Sequence, residues 1–215
     1  MKFNKEMLLL YAVTDRSWTG KQTLSEQIED ALKGGVTIVQ LREKNLDFES
    51  FVNEATEVKK ICEKYGVPLI INDNVRVALQ SGADGVHVGL EDMSVKDIRK
   101  IAGRDFIVGA TAKTVTQAKK AEDEGADYIG VGAVFPSPTK TNAVRITVNE
   151  LKEICGCVSI PAVAIGGINR DNMKEISGGG MKGVALVSAI FGADDIESEC
   201  KILKELALQT VNCDK

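Results

Sequence analysis

The sequence predicts an α/β fold, a (β/α)8 TIM barrel, on three observations. Eight short apolar runs alternate with eight amphipathic stretches along 215 residues, a length that suits one α/β barrel with a sizeable core. The runs are apolar on both alternating faces, as parallel strands covered on both sides are. Polar residues and glycines collect just after the runs, where barrels carry their chemistry. An open doubly wound sheet is the competing arrangement, but no G-x-G-x-x-G follows the first run, which weakens its dinucleotide-binding form. One catalytic barrel domain over residues 1–215 is expected.

Residues 8–13 read as the first strand. The run resembles a signal-peptide core, but Thr14, Asp15, Arg16 and Ser17 follow it in place of a small-residue cleavage site. Helical spacing over 23–33 stops at Gly34, and strand 38–41 leads to helix 48–65, capped by Asp47 and stopped by Gly66. Strand 69–72 precedes helix 75–81 and Gly82; strand 85–88 precedes helix 95–101, capped by Ser94. Strand 107–110 leads to helix 116–124 and Gly125, and strand 128–131 to helix 148–155. Strand 162–165 leads to a helix over 172–177, with Asn169 or Asp171 as cap and Gly178 as stop. Strand 183–187 and helix 196–208 close the series. Gly82-Ala83-Asp84-Gly85-Val86-His87-Val88-Gly89 is echoed by Gly125-Ala126-Asp127-Tyr128-Ile129-Gly130-Val131-Gly132, which marks a recurring helix-to-strand junction.

The composition, 44% hydrophobic and 27% charged with net charge -4, is that of an ordinary soluble protein. With no excess of lysine and arginine, nucleic acid is not an expected partner, whereas small anions can bind local clusters. No apolar run approaches the roughly 18 residues needed to cross a bilayer, so a cytoplasmic protein without membrane contact is expected. Cys62, Cys155, Cys157, Cys200 and Cys213 are odd in number and form no C-x-x-C, which fits free thiols in a reducing compartment. His87, the only histidine, lies inside a strand and suits a structural or local hydrogen-bonding role better than zinc binding or catalysis.

The strand ends supply the candidate site. Gln40, Arg42 and Lys44 share one face of an extended chain and could hold an anion, or could be a solvated strand end. Asp73 and Asp92 follow the next two strands. Neighbouring parallel strands lie about 4.8 Å apart, so both carboxylates can approach one cation, and Mg2+ fits best because it takes one or two carboxylates and completes its shell with water and phosphate oxygens. Their competing role is to cap helices. Gly166-Gly167 and Val187-Ser188 occupy the usual barrel phosphate position, where backbone amides approach an anion closely, with a tight turn as the alternative. Phe135-Pro136-Ser137-Pro138-Thr139-Lys140-Thr141 is a proline-stiffened loop carrying hydroxyls and an ammonium, readable also as a solvent loop.

These residues resemble the thiamine phosphate synthases over 10–190. The motifs are Tyr11-Ala12-Val13-Thr14-Asp15, Gln40-Leu41-Arg42-Glu43-Lys44, Asn72-Asp73, His87-Val88-Gly89-Leu90-Glu91-Asp92, the Pro138-Thr139-Lys140 loop, Gly166-Gly167-Ile168 and Val187-Ser188-Ala189-Ile190. The resemblance implies that hydroxymethylpyrimidine diphosphate condenses with a thiazole phosphate, or its carboxylate, to give thiamine phosphate and pyrophosphate. It implies that Gln40, Leu41, Arg42, Glu43, Lys44, Asn72, Thr111 and Lys140 contact the pyrimidine diphosphate. Ser137, Pro138, Thr139, Gly167, Val187 and Ser188 then contact the thiazole phosphate, Asp73 and Asp92 bind one Mg2+, and Arg42, Lys44 and Lys140 are catalytic. The partners it implies are small phosphorylated molecules; a homo-oligomer is compatible with the sequence, which specifies none.

Four positions depart from the family pattern: Thr111 stands for a usual serine, Leu90 for a glutamine, Ser137 for a threonine, and Lys113 where a related tautomerase branch carries a histidine. The alternatives are a thiazole tautomerase-like isomerase, which loses its acid-base residue here, and a non-catalytic barrel binding a phosphorylated ligand. The second gains nothing from Asp73 and Asp92 beside an anion unless a metal intervenes. Another phosphate-using barrel isomerase or epimerase would need an acid-base pair on the rim, and none is evident.

Overall fold

The computed structural model describes residues 2–20, 22–137 and 144–212. Eight parallel strands close in chain order: β1 (Leu10–Val13), β2 (Ile38–Leu41), β3 (Leu69–Asn72), β4 (Gly85–Val88), β5 (Ile107–Ala112), β6 (Tyr128–Val131), β7 (Ala162–Ile165) and β8 (Gly183–Leu186). Closure is made by β1, which pairs with β2 through Tyr11 and Ile38 and with β8 through Tyr11 and Ala185. The outer helices are α1 (Leu24–Lys33), α2 (Phe48–Lys64), α3 (Val75–Ser81), α4 (Val95–Ala102), α5 (Val115–Asp123), α6 (Val148–Gly156) and α8 (Ile196–Val211), with a short α7 (Ser188–Phe191) after β8. Among the described residues, no helix is long and apolar enough to cross a membrane.

Strand alternation divides the apolar residues into two layers. Leu10, Ala12, Val39, Leu41, Leu69, Ile71, Val86, Val88, Val184 and Leu186 pack outward against the helices. Tyr11, Val13, Ile38, Ile70, Ile107, Tyr128, Val163 and Ala185 fill the barrel itself. Burying a side chain such as Ile70, which is 0% exposed, contributes about 1.5–3 kcal/mol. The same alternation carries Gln40, Asn72 and Thr111 inward, because they lie two or four residues beyond Ile38, Ile70 and Ile107.

Helix starts follow the sequence signals. Asp47 accepts from Ser50 N at 3.0 Å and Ser94 from Asp97 N at 3.2 Å. Thr23 with Glu26 and Thr147 with Glu150 form reciprocal capping boxes at α1 and α6. The first strand begins only at Leu10, after a 3-10 turn Lys5–Leu8, and the fifth runs on to Ala112. One expected helix differs in kind, since 172–177 is a single 3-10 turn, Met173–Ile176. Asn172 makes no side-chain cap bond there, and Gly178, Gly179 and Gly180 follow at once, so the segment lacks both the cap and the length to propagate an α-helix. Asn169 instead turns the chain, accepting from Asp171 N at 2.9 Å and Asn172 N at 3.3 Å. The strand expected over 183–187 ends at Leu186, and Ser188 opens α7.

Candidate active site

The C-terminal ends of the strands bring most of the expected residues to one rim. At the end of β2, Arg42 is fixed from two directions: its backbone N–H donates to Thr14 Oγ1 at 2.9 Å and its Nη1 to Asp15 Oδ2 at 2.8 Å. Burial pushes the Asp15 carboxyl up, but hydrogen bonds from Ser17 and the charge and hydrogen bond of Arg42 outweigh it and hold the group below its ordinary value. Lys44 reaches the next strand end and donates to Asp73 Oδ2 at 2.7 Å. Asp15 carries no assigned role in the sequence reading; only its place in the first motif pointed to it.

Asp73 adopts φ 63°, in the left-handed region that a non-glycine residue enters at a cost of about 1–3 kcal/mol. Its N–H donates to His87 O at 2.8 Å and Asn74 N–H to Asn72 O at 2.7 Å, so the strained turn is held by its neighbours. Asp92 Oδ2 accepts from Gly89 N at 2.7 Å, and the Asp73 and Asp92 carboxyls lie near enough to influence each other's ionisation. Burial raises both groups. For Asp73 the Lys44 ammonium, the neighbouring Asp92 and the nearby His87 prevail and lower it, whereas Asp92, next to the Asp73 charge, is raised. The two carboxyls therefore titrate as a pair, Asp73 ionising before Asp92. Two neighbouring carboxylates could hold one divalent cation whose remaining ligands are water or phosphate oxygens; among the described residues no group of three or more metal-ligating side chains gathers here or elsewhere.

Inside the barrel mouth, Gln40 Nε2 donates to Tyr11 Oη at 2.8 Å, and Tyr11 Oη lies 2.7 Å from Tyr128 Oη. His87 stands between Tyr128 Oη, 3.2 Å from its Nδ1, and Thr111 Oγ1, 3.1 Å from its Nε2. Burial brings the imidazole down to about 4, against the opposing charge of Asp73, so it is neutral near pH 7. Tyr11 stands in the first motif and Tyr128 in the echoed junction, but neither carries a role in the sequence reading. The signal that finds them is parity, since both share the inward face with Gln40, His87 and Thr111.

Gly166 and Gly167 have φ 104° and 62°, and a Cβ at Gly167 would lie 2.1 Å from Pro136 O. The β6 and β7 loops are bonded together by Phe135 N to Gly166 O at 2.9 Å and Val134 N to Ile165 O at 3.1 Å. Val187 and Ser188 stand at the start of α7, the short extra helix that follows β8. Ser137 is half-buried on the same β6 loop. Pro138, Thr139 and Lys140 lie outside the described residues.

Two expected contacts are directed elsewhere. The Leu41 side chain is 0% exposed in the outer layer, because it has the opposite parity to Gln40. Glu43 accepts from Arg16 Nη2 at 2.9 Å and serves the β1 loop. A depression of about 420 Å³ beside Arg16, lined also by Thr19, Gln22 and Glu54, contains none of Asp73, Asp92, His87 or Thr111.

The family model described as thiamine monophosphate synthase matches residues 10–190. A thiamine-phosphate synthase of Methanobrevibacter smithii is 50% identical over 200 residues, covering 92% of this chain and 95% of that protein. One of Clostridium botulinum is 46% identical over 202 residues, covering 94% and 95%. The solved thiamine phosphate pyrophosphorylase of Pyrococcus furiosus superposes with a TM-score of 0.89 at 35% identity, covering 97% of this chain and 99% of that one.

Proposed function

The chain belongs to the thiamine monophosphate synthase family, and on that premise we propose that its rim condenses hydroxymethylpyrimidine diphosphate with a thiazole phosphate to give thiamine phosphate and pyrophosphate. The observation that carries the reading is the placement of Arg42, Lys44, Asp73 and Asp92 at the ends of successive strands, with Lys44 donating to Asp73 and Arg42 fixed by Asp15. The whole chain acts as one catalytic domain on small phosphorylated substrates, and it works in the cytoplasm.

In this reading the bond from the pyrimidine methylene carbon to the diphosphate oxygen breaks first, and the pair of electrons leaves with pyrophosphate. Arg42 and Lys44 face the charge that grows on the leaving group, so their interaction is stronger in the transition state than in the bound substrate. Lys140, outside the described residues, is given the same role by the family resemblance alone. Asp73 and Asp92 would hold Mg2+, which supplies Lewis-acid stabilisation of phosphate oxygens. Gln40, Asn72 and Thr111 orient the pyrimidine. The Gly167 and Ser188 backbone amides receive the thiazole phosphate, with Ser137, Thr139 and Val187 around it.

The thiazole nitrogen then attacks the methylene carbon with its own lone pair, forming the new C–N bond. It carries no proton to remove, so a general base is unnecessary. This agrees with a half-buried, neutral His87 that touches only hydroxyl groups through its ring nitrogens. The test is incubation of purified protein with both substrates and Mg2+, following thiamine phosphate and pyrophosphate together. Equal appearance of the two supports the synthase reading. Absence of both, or isomerisation of the thiazole carboxylate phosphate without the pyrimidine, contradicts it.

A further inference from the structure

Five side chains cross the barrel mouth in an unbroken line: Gln40, Tyr11, Tyr128, His87 and Thr111, with contacts of 2.8, 2.7, 3.2 and 3.1 Å. They come from β2, β1, β6, β4 and β5, so the line links two separated parts of the rim through groups that cannot all reorient alone. Gly109 makes room for it, since a Cβ there would lie 2.2 Å from Tyr128 Cζ and 2.6 Å from His87 Nδ1. The Tyr128 ring is held further by His87, with centroids 5.5 Å apart, and by Phe3 at 5.7 Å.

Counting protons gives this line a direction. The Tyr11–Tyr128 contact admits either hydroxyl as donor; with Gln40 Nε2 donating to Tyr11 Oη, the arrangement that leaves no hydroxyl proton unpaired directs the Tyr11 proton to Tyr128 Oη. Tyr128 then accepts from Tyr11, and its single proton goes to His87 Nδ1. A neutral imidazole has one donor and one acceptor nitrogen. With Nδ1 accepting, Nε2 carries the proton and donates to Thr111 Oγ1. The Thr111 hydroxyl proton is thereby released from the line and is free to turn toward the barrel mouth as a donor.

We infer that Tyr11, Tyr128 and His87 form a directional hydrogen-bond relay, in which Tyr128 is a positioning residue that makes the Thr111 hydroxyl a donor to the substrate and couples it to the orientation of the Gln40 amide. Thr111 touches substrate in the proposed reaction; Tyr128 acts through His87. The kinetic consequence rests on the synthase reading, whereas the proton arrangement is a property of the protein alone. The methyl group of Thr111 leaves its hydroxyl fewer favoured rotamers than a serine has, which makes a relay that fixes the remaining proton more effective.

The chain has one histidine, so its two ring nitrogens can be assigned in 15N-labelled protein by long-range proton–nitrogen correlation without interference. The ligand-free protein is expected to show a protonated Nε2 and an imine-type Nδ1. Gln40→Glu, with the carboxyl first shown to be ionised by its 13C chemical shift because position 40 is buried, has no proton to give. Each bond then reverses, and the imine-type signal moves from Nδ1 to Nε2. In Tyr128→Phe the line is cut, so adding Gln40→Glu leaves the histidine signals as they are in Tyr128→Phe alone. If that variant does not fold, Tyr11→Phe cuts the line one step earlier and gives the same comparison.

Kinetically, Tyr128→Phe and Thr111→Val are each expected to lower kcat/KM by about tenfold, the loss of one oriented hydrogen bond. The double variant is expected to match Thr111→Val, because Tyr128 has no other route to the substrate. A protonated Nδ1 in the unmodified protein, an unmoved histidine signal in Gln40→Glu, or fully multiplicative losses in the double variant would each overturn the relay. Failure of the unmodified protein to make thiamine phosphate counts against the synthase reading and leaves the nitrogen assignments to decide the relay on their own.

Discussion

Lys44 Nζ donates to Asp73 Oδ2 over 2.7 Å, joining the ends of β2 and β3. The two side chains are 51% and 32% exposed, so the pair contributes roughly 0–1 kcal/mol to stability. Its importance lies in what it prepares. In the proposed reaction a metal-bound diphosphate would take the ammonium for its oxygens and leave the carboxylate for the cation, exchanging the pair for two stronger charge-assisted contacts.

Lys44→Ala, Asp73→Ala and Asp92→Ala should each lower kcat by about 10²–10³-fold, equivalent to about 2.7–4 kcal/mol by analogy with removal of an oxyanion donor. Unfolding midpoints should move little in Lys44→Ala, because its partner is partly solvated. Steady-state kinetics over a Mg2+ titration separates the roles: the two aspartate variants should change the Mg2+ dependence, and Lys44→Ala should leave it in place.

Asp15→Asn should reduce kcat/KM for the pyrimidine diphosphate by about tenfold through loss of a charge-assisted hydrogen bond. The Asp15 carboxylate fixes the Arg42 guanidinium at 2.8 Å, and without it Arg42 must be ordered when the substrate binds. Pre-steady-state measurement of product formation checks this. Unchanged kinetics would show that Arg42 is held well enough by its backbone bond to Thr14.

Gly109→Ala should destabilise the fold by about 1–3 kcal/mol, the usual cost of overpacking a filled core. The new methyl group would sit 2.2 Å from Tyr128 Cζ, and Tyr128 cannot retreat because the barrel interior around it is filled by Tyr11 and Phe3. Urea unfolding measures the loss directly.

Acid should weaken the protein through its helix caps. Asp47 and Asp195 are lowered by hydrogen bonds from Ser50 and Ser198, and Glu26 and Glu150 by their capping boxes. A carboxyl lower in the folded state than in the unfolded one stabilises fully above its unfolded value and ceases to do so as pH falls through its folded value. The thermal midpoint should therefore decline below about pH 4. Asp47→Asn with Asp195→Asn should flatten that decline.

The strands were legible because each is a short apolar run, and β2, β3, β4, β6 and β7 occupy the residues expected of them. The turn at Met173–Ile176 was not, because its apolar spacing is helical while its missing cap and following glycines prevail. Rim position identified Asp73 and Asp92, but residue type alone could not separate Gln40, which points inward, from Leu41, which faces the helices; parity does. The line from Gln40 to Thr111 was hidden for a different reason. Tyr11 and Tyr128 are 117 residues apart, and apolar runs containing a tyrosine give no hint that its hydroxyl has a distant partner. Asp15 was similarly inconspicuous, since its bond to Arg42 depends on how the first two loops meet.

Calorimetric titration of inorganic pyrophosphate, with and without Mg2+, tests most directly the claim that the rim holds a metal-bound diphosphate. The account predicts binding that strengthens at least tenfold with Mg2+ in the unmodified protein, an effect of about 1.4 kcal/mol, and that loses this enhancement in Asp73→Ala and Asp92→Ala. Equal affinity with and without Mg2+, or an enhancement that survives removal of both carboxylates, would contradict it.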